Sequence, residues 1–588
     1  MREWDLSASE QRVWDAFARR ALVDLSGDGA AGGRDAAAAA DWGEERTVRG
    51  EVIAALLLGA ARAEPGRVPG VRLAGARIAG VIDVSDGDVA ASLDLTRCAL
   101  DAPPDFDGAV CGKVRLSGCA LPGFTAKQAQ VRGSLRFESC TVSGCLVVRN
   151  AQVQGSLHLS GSHLACPGEQ ALSAGGVNAS GALYGGGLRV EGNLRLIGAT
   201  FNGGVFLDGA RLSNPDGETV TGDGITVRSI MDLGRTVHEG ALSLRGAHVG
   251  SLSLEGATLR NPGGYALHAD HLEVTTYLHG TGGFTADGEF CLNDAHIGTI
   301  LDLKGARLRN PGGSCFSAIG IRVDAVMNCC RGFEAIGTIE LYHARVGHRL
   351  CLKRARLSNP GGLAIWAEQL QTRELMLQTA GPPDGTVDLR DARVGVLHDE
   401  PASWPAVVRL EGFDYETLDP PLTGSQRLDW LQRDPGGYVP NAYEQLGGMY
   451  RRLGRGEQAR VVQLAKQRRR RLTLTAAPRA WGYLQDWTVG YGYRPGRAAV
   501  GLLVLWAIGA IVFGLHHPPP ADGADPRTFE PVIYTLGLLL PVIDFQQEDT
   551  FTPQGAQAWL AFVLIAAGWI LTTTVAASIL RALRREGD

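Results

Sequence analysis

The chain has 588 residues, a formal net charge of −5 at neutral pH, 79 glycines and only 7% aromatic residues. This length is sufficient for several domains, and the near balance of charge leaves no global positive field of the kind that attracts nucleic acid. The first residues, MREWDLSASEQ, are charged and polar and do not have the apolar core of a secretory signal peptide, so we expect no such peptide.

Residues 1–65 are predicted to form a helical cap. Ser7 and Glu10 have the spacing of a capping box and precede an amphipathic run from Val13 to Leu25. A second helix is expected from about Thr47 to Ala61. A helical cap of this kind covers the exposed strand edge at the start of a repeat domain, if one follows it in the chain.

An eleven-residue unit recurs between residues 66 and 413. The copy that begins at Leu301 reads LDLKGARLRNP, with apolar residues at its first, third and eighth positions and a small residue at its sixth. Apolar residues two positions apart share one face of a strand, so each unit reads as two short strands and two turns. The predicted fold class is mainly β, a parallel β-helix solenoid with two units per coil and roughly fifteen coils.

A longer period overlies the short one. The segments SNPDG at Ser213, RNPGG at Arg260, RNPGG at Arg309 and SNPGG at Ser358 are spaced 47, 49 and 49 residues apart. Asn, Pro and Gly are typical of turns. We therefore expect every second coil to carry a longer loop on the same edge.

All eleven cysteines fall within the repeat region. Cys98, Cys119 and Cys140 occupy the small inward position, and no CxxC pair is present, so packing thiols in a reducing compartment are expected. The adjacent pair Cys329–Cys330 is the one candidate for redox chemistry. Nucleotide-binding, zinc-protease and serine-hydrolase motifs are absent from the sequence, and we predict neither a cofactor nor catalytic or metal-binding residues.

The segments Ala306-Arg307-Leu308 and Ala355-Arg356-Leu357 resemble the motif of pentapeptide-repeat proteins, which has a small residue, a polar residue and then Leu or Phe. This resemblance implies a parallel β-helix. The chain departs from the motif where Arg or His replaces Asp or Asn, and where every second pentad has a large residue at the small position.

Arginines recur in nearly the same register along the repeats. Stacked in a β-helix they form a candidate basic stripe, which consists of Arg211, Arg260, Arg307, Arg309 and Arg356. One interpretation is a surface for anions, lipid headgroups or nucleic acid. The other is a solvated face balanced by neighbouring acids such as Asp208, and the negative net charge favours this second interpretation. No specific nucleic-acid partner is predicted, whereas a protein partner along the β-helix is compatible with either interpretation.

Residues 414–486 are predicted to form a helical hairpin and a basic segment next to a membrane. The run from Ala442 to Gln467 resembles one tetratricopeptide-type hairpin with Gly454 in its turn. A cluster of cations follows, which consists of Lys466, Arg468, Arg469, Arg470 and Arg471.

Residues 487–588 are predicted to form a membrane domain in contact with the lipid bilayer. The uncharged runs 498–515 and 556–580 are candidate spans, and the apolar segment 531–545 is too short to cross and is expected to be re-entrant or interfacial. Basic residues precede the first span and follow the second, so both termini are predicted to be cytoplasmic in a multi-pass protein of the plasma membrane.

Three acidic residues lie between the short apolar segment and the second span. Asp544, Glu548 and Asp549 would surround the outer mouth of a two-span cation channel, since rings of acids attract cations. Two helices of one chain enclose no pore, so this hypothesis requires a homo-oligomer. The competing hypothesis is a plain two-helix anchor with an interfacial segment.

The tail segments NAYEQLGGMYRRLG, YTLGLLLPVIDFQQED and GWILTTTVAASIL resemble an actinobacterial group of membrane-associated β-helix proteins with a two-span C-terminal domain. Members of that group often carry the label membrane-associated oxidoreductase, a redox activity that no motif in this sequence supports. The first functional hypothesis is a non-enzymatic, membrane-anchored cytosolic scaffold or sensor. The alternatives are an ion-channel-like oligomer gated by the β-helix and, third, a membrane-associated oxidoreductase.

Overall fold

The computed structural model describes residues 5–26, 42–476, 478–479, 482–483, 486, 495–521, 528–540, 543, 545 and 550–583. Two compact units are present, a solenoid unit, Met1–Pro421, and a helical unit, Leu422–Asp588.

The solenoid unit is a parallel β-helix of about 16 turns, which confirms the fold predicted from the repeat. One coil illustrates the path of the chain: strands Val114–Ser117 and Gln130–Val131 belong to a first sheet, and strands Ala120–Leu121 and Phe124–Thr125 belong to a second. Each strand pairs in parallel with its equivalents in the coils above and below. Val114, for example, lies between Leu93 and Leu135. A coil therefore contains two of the eleven-residue units.

Every second coil in the middle of the solenoid carries a longer segment at one edge, as the longer period predicts. These segments are the eleven-residue strands His163–Ser173, Arg211–Thr221, Thr258–His268, Arg307–Ser317 and Arg356–Trp366. In the third of them the pairing register shifts between Arg260 and Tyr265, where the loop leaves the sheet. The Asn261 side-chain amide closes that loop by donating to the Tyr265 carbonyl oxygen at 2.9 Å.

The interior is filled by apolar side chains and thiols. Phe290 and Phe316 are fully buried on neighbouring coils, with ring centroids 5.7 Å apart. All eleven cysteines are free thiols, of which nine are buried, while Cys145 and Cys166 are partly exposed. Burial raises the pKa of Cys329 well above its usual value. Cys329 therefore belongs to the packed interior, and Cys330 beside it is also buried, at 4% exposure.

The N-terminal cap is built from strands as well as helices, which corrects the prediction of two long helices. Helix Ala8–Phe17 begins with the predicted capping box and stops eight residues short of Leu25. Strand Leu22–Asp24 then pairs with Gly70–Ala74. Strand Thr47–Arg49 pairs with Arg77–Ala79 and precedes helix Gly50–Leu57. The short strands satisfy backbone groups at the open edge of the first coil, a demand that helical periodicity in the sequence does not reveal.

A charged contact holds the two helices of the cap to each other. The Arg49 Nε atom lies 2.8 Å from Glu10 Oε1, and the Arg49 backbone N–H donates to the same oxygen at 3.0 Å.

At the other end of the solenoid, the last strand is Asp414–Asp419. This strand lies beyond residue 413, where the repeat is lost from the sequence.

One core position holds a histidine. The register places His238 between Leu212 and Leu259 in the coils on either side. Its Nδ1 atom lies 2.8 Å from the hydroxyl of Thr219, and complete burial lowers the pKa of His238 to about 4. The unfolded chain therefore takes up a proton below about pH 6.5 that the folded chain does not accept until about pH 4.

The substitution His238→Leu is expected to reduce the acid sensitivity of the solenoid. Because the folded pKa is depressed, stability should fall from pH 7 towards pH 4, by up to about 3 kcal/mol for this one group. Leucine matches the neighbours in its column, and Thr219 retains the Ala241 carbonyl as acceptor. Thermal unfolding of both proteins at several pH values should show their melting temperatures diverging as the pH falls. Parallel profiles would contradict the assignment.

The helical unit begins with three helices, Gly424–Leu431, Pro440–Arg452 and Gly456–Leu472. The second and third pack together as a hairpin, and Gly454, at φ +70°, lies in the turn between them, as predicted. The Tyr450 hydroxyl donates to the Leu422 carbonyl at 2.6 Å, which ties the hairpin to the segment before it.

Three further helices follow, which we call the first tail helix, Pro495–Leu515, the short tail helix, Pro531–Leu539, and the last tail helix, Ala556–Leu583. Each packs against the other two. Their shared core includes Phe513, Tyr534, Leu538 and Leu564.

Within the described residues one helix is long and apolar enough to cross a membrane, whereas the sequence predicts two spans. The qualifying stretch is Ala556–Thr573, of 18 residues. The apolar stretch of the first tail helix, Ala499–Leu515, is 17 residues long.

Candidate functional site

A concave surface of about 790 Å³ lies on the outside of the solenoid, across four consecutive coils. The register Asp302, Asn328, Cys351, Met376 follows one column through these coils. We call this surface the cationic cleft. Its six cations are Lys304, Arg331, Arg349, Lys353, Arg354 and Arg356, and its other lining residues are Asn328, Cys330, Gly332, Cys351, Met376 and Ala380.

The cations of the cleft are largely uncompensated. Lys304 has a carboxylate partner, since its Nζ atom lies 2.8 Å from Asp302 Oδ2. Within the described part of the chain, the five other cations make no ion pair within 4.0 Å. Two carboxylates are in register with cations of the cleft, Glu334 with Arg356 and Glu374 with Arg349, but neither forms an ion pair with its register partner, and Glu334 lies 3.8 Å from Arg307 instead. No carboxylate is among the lining residues, so the surface has a local excess of positive charge.

Two of these cations lie at backbone corners where glycine is the usual residue. Arg331 and Arg354 have φ values of 53° and 59°, and the equivalent residue in the preceding coil is Gly305, at 69°. Arg331 N donates to the Lys353 carbonyl at 3.2 Å, so the two corners stack directly. A residue with a Cβ atom in this left-handed region costs roughly 1–2 kcal/mol relative to glycine.

Elsewhere in the solenoid, an arginine at the same corner has a carboxylate partner. Arg97, at φ 51°, lies 3.8 Å from Asp24. Arg235, at φ 52°, has its Nε atom 2.9 Å from Asp208 Oδ1. Among the described arginines at this corner, those of the cleft, Arg331 and Arg354, form no such pair.

The floor of the cleft is uncharged. Cys330 and Cys351 are buried beneath the cations, beside Met376. Burial, together with the neighbouring Cys351 thiol, raises the pKa of Cys330 to about 12. At neutral pH this thiol is therefore protonated, and the floor offers a polarisable surface without a nucleophile.

The predicted basic stripe is divided between two columns of the second sheet. Arg211, Arg307 and Arg356 share one column, whereas Arg260 and Arg309 lie two residues further along their strands. Acidic residues alternate with them. Asp287 pairs in register with Arg260 and Arg309, and Glu334 lies between Arg307 and Arg356. Charge of both signs therefore follows this face, and of the five arginines Arg356 alone lines the cleft.

The cleft escapes an eleven-residue analysis because two of its six cations, Lys304 and Arg331, come from the two coils before the one that carries the other four. Arg331 and Arg354 are 23 residues apart, which is the length of one coil at that point of the solenoid. The run Lys353 to Arg356, KRAR, is the local signal in the sequence. Arg349 is four residues before this run, but only the coil length shows that Arg331 lies beside it.

The predicted basic segment next to the membrane is partly neutralised. Lys466 pairs with Glu444, and both Arg468 and Arg471 pair with Asp486, at 3.0 and 3.2 Å. The Arg471 guanidinium also lies 3.8 Å from the centre of the Tyr483 ring. Arg469 and Arg470 make no ion pair within 4.0 Å among the described residues.

The three predicted pore residues, Asp544, Glu548 and Asp549, lie outside the described residues. The short tail helix, from the predicted re-entrant segment 531–545, is described and packs between the two longer tail helices. The Trp506 Nε1 atom of the first tail helix donates to the Val532 carbonyl at 3.2 Å.

Neither a model of a protein family, nor a curated protein, nor a solved structure matches this chain.

Proposed function

We propose that this protein is a non-enzymatic, membrane-anchored scaffold or sensor. The tail holds it in the plasma membrane with both termini in the cytoplasm, and the β-helix presents a recognition surface to the cytosol. The observation that carries this proposal is the apolar outer surface of the tail helices.

Large apolar side chains of the tail point away from its core. Trp559 is 75% exposed and Phe562 65% on the last tail helix, and Leu503 is 61% exposed on the first. Soluble monomers rarely expose a contiguous apolar surface of this kind, whereas a lipid bilayer removes its cost. The inner surface, in contrast, packs around Tyr534 and Leu564. This division suits a helical unit whose outside faces hydrocarbon.

We propose that the first tail helix crosses the membrane beside the last one. Its apolar stretch is one residue shorter than the last helix's 18-residue stretch, and bilayers thin locally around short spans. Arg468 to Arg471 before this helix and Arg581, Arg584 and Arg585 after the other support a cytoplasmic location for both ends.

Acidic residues on the outer surface of the tail are expected to release the protein from membranes. The double variant Leu503→Asp/Phe562→Asp introduces one charge on each long helix, at a cost of about 2.5–3.5 kcal/mol per charge at the centre of a span. After alkaline carbonate extraction of membranes, the wild-type protein should remain in the pellet. The variant should be lost from the pellet or fail to accumulate.

The matched control for this variant places the same charges on the solenoid unit. Val68 and Val81 are exposed apolar residues there, so Val68→Asp/Val81→Asp should leave membrane retention unchanged. Recovery of the wild-type protein in the carbonate supernatant would contradict membrane anchoring.

A homo-oligomeric channel gated by the β-helix is a second candidate function. The observation that favours it is the short tail helix, which packs between two longer ones in the long–short–long order of two-span channels. A pore requires several copies around an axis. The mass of the protein purified in a neutral detergent decides the question, because a stable monomer excludes this function.

A further inference from the structure

We propose that the cationic cleft binds a small ligand that carries two or more closely spaced phosphate groups. The ligand would be the stimulus of the sensor proposed above, and the biological role of the cleft rests on that proposed function. The binding chemistry itself depends only on the solenoid.

The charge of the cleft selects for an anion with several charges. Five of its six cations have no carboxylate within 4.0 Å among the described residues. Four of the six are arginines, whose planar guanidinium groups suit bidentate contacts with phosphate oxygens. The volume of about 790 Å³ lies in the range of small-molecule sites.

The arrangement of the cations favours linked phosphates over a single one. They lie on three successive rungs, which in a parallel β-helix are spaced by ~4.8 Å: Lys304 on the first, Arg331 on the second, and the other four, between Arg349 and Arg356, on the third. Arg331 and Arg354 lie on adjacent rungs, with Lys304 on the rung before them. One phosphate contacts cations of one or two rungs, so several phosphates in a row are needed to engage the whole set.

The choice of residue at one backbone corner gives the second line of support. At this corner the chain uses glycine in the preceding coil, at Gly305, but arginine at 331 and 354. The fold does not need those side chains, because they form no ion pair within the described part of the chain. The same conformation occurs at Arg97 and Arg235, but those two arginines have carboxylate partners, so the cleft differs in leaving its corner arginines available to a ligand.

The uncharged floor completes the site. Cys351 and Met376 are apolar contacts for the part of a ligand that carries the phosphates. Two sources provide such chemistry, a soluble polyphosphorylated molecule and the headgroup of a phosphorylated lipid. Both present clustered phosphates, and the assay below separates them.

The test is calorimetric titration of the full-length protein in a neutral detergent with inorganic tripolyphosphate. We expect a dissociation constant on the order of 10 µM at low salt, and binding of inorganic phosphate at least tenfold weaker. Higher ionic strength should weaken binding further, since the contacts are exposed. A short-chain lipid with a bisphosphorylated headgroup, titrated in the same detergent, should bind more tightly than tripolyphosphate if the source is a lipid, and less tightly if it is soluble.

The decisive variant is Arg331→Gly/Arg354→Gly. Glycine is the residue that this corner prefers, so the variant removes two charges without harming the fold, and its melting temperature should be unchanged or raised. Tripolyphosphate affinity should fall at least tenfold. The control, Arg97→Gly/Arg235→Gly, makes the same change at the same corner of coils outside the cleft, and should bind as the wild type does.

Three results would overturn the proposal: no tripolyphosphate binding by the wild-type protein at 1 mM, equal affinity in the Arg331→Gly/Arg354→Gly variant, or an equal loss in the control. The membrane experiment is independent of this titration. Carbonate-resistant protein that does not bind tripolyphosphate would refute the cleft alone. Binding by a protein that carbonate extracts would refute the anchor alone.

Discussion

Replacement of Gly288 by alanine is expected to destabilise the solenoid by about 3–5 kcal/mol. The backbone at this position has φ +119°, which L-residues rarely adopt, and a Cβ atom would lie 2.4 Å from the Asn261 carbonyl oxygen and 2.8 Å from that of Gly264. Both oxygens belong to the long loop of the preceding coil. An alanine therefore has to push that loop outwards or break the pairing beneath it.

The control, Gly263→Ala, changes a glycine in the same loop. Gly263 has φ +78°, but no atom lies within 4 Å of the position that an alanine methyl group would occupy, so this change lacks the collision and should cost only about 1 kcal/mol. Thermal unfolding followed by circular dichroism measures both. Equal melting temperatures for the two variants would contradict the close contact between Gly288 and the carbonyl oxygens of the preceding loop.

Replacement of Gly568 by leucine is expected to disrupt the packing of the tail at a cost of several kcal/mol. A Cβ atom at Gly568 on the last tail helix would lie 2.4 Å from the Leu539 carbonyl oxygen and 2.9 Å from its Cα atom. Leu539 ends the short tail helix, which also packs against the first tail helix, so a shift of its backbone would disturb a second contact. The variant should elute from size-exclusion chromatography in detergent as a broad or aggregated peak.

Gly501→Leu is the matched control for this prediction. Gly501 lies on the first tail helix, and the nearest atom to its Cβ position is the end of the Leu571 side chain at 3.9 Å, an ordinary contact. This variant should elute as the wild type does. A monodisperse Gly568→Leu protein would contradict the close approach of the short and last tail helices.

The repeat predicts the solenoid well because each unit is defined by local spacing. Apolar residues at Leu301, Leu303 and Leu308, with Ala306 between them, fix strands, turns and the inward face, and all four are buried. The cap is harder to predict. Leu22–Asp24 has no sequence feature that distinguishes it from the end of the preceding amphipathic run, and it is a strand because a distant strand edge needs a partner.

The candidate site could be predicted only in part. Among the arginines of the basic stripe, Arg356 is the one that lies in the cleft. The acidic residues that pair in register with Arg260 and Arg307 are contributed by neighbouring coils, and the coil lengths alternate along the solenoid. An analysis that assumes one constant repeat length therefore cannot align these acidic residues with the arginines. Arg331 and Arg354 stand out only once their left-handed backbone conformation is known, and conformation at a single residue is not readable from composition.

The most direct test of a membrane-anchored protein with a cytosolic β-helix is labelling of introduced cysteines with a membrane-impermeant maleimide. Thr552, between the short and last tail helices, and Asp216, in a solenoid loop, are both exposed. In intact cells, the Thr552→Cys variant should be labelled above the wild-type background. The Asp216→Cys variant should be labelled only after the cells are opened. Labelling of Asp216→Cys in intact cells, or of Thr552→Cys only after opening, would contradict two spans with the solenoid in the cytosol.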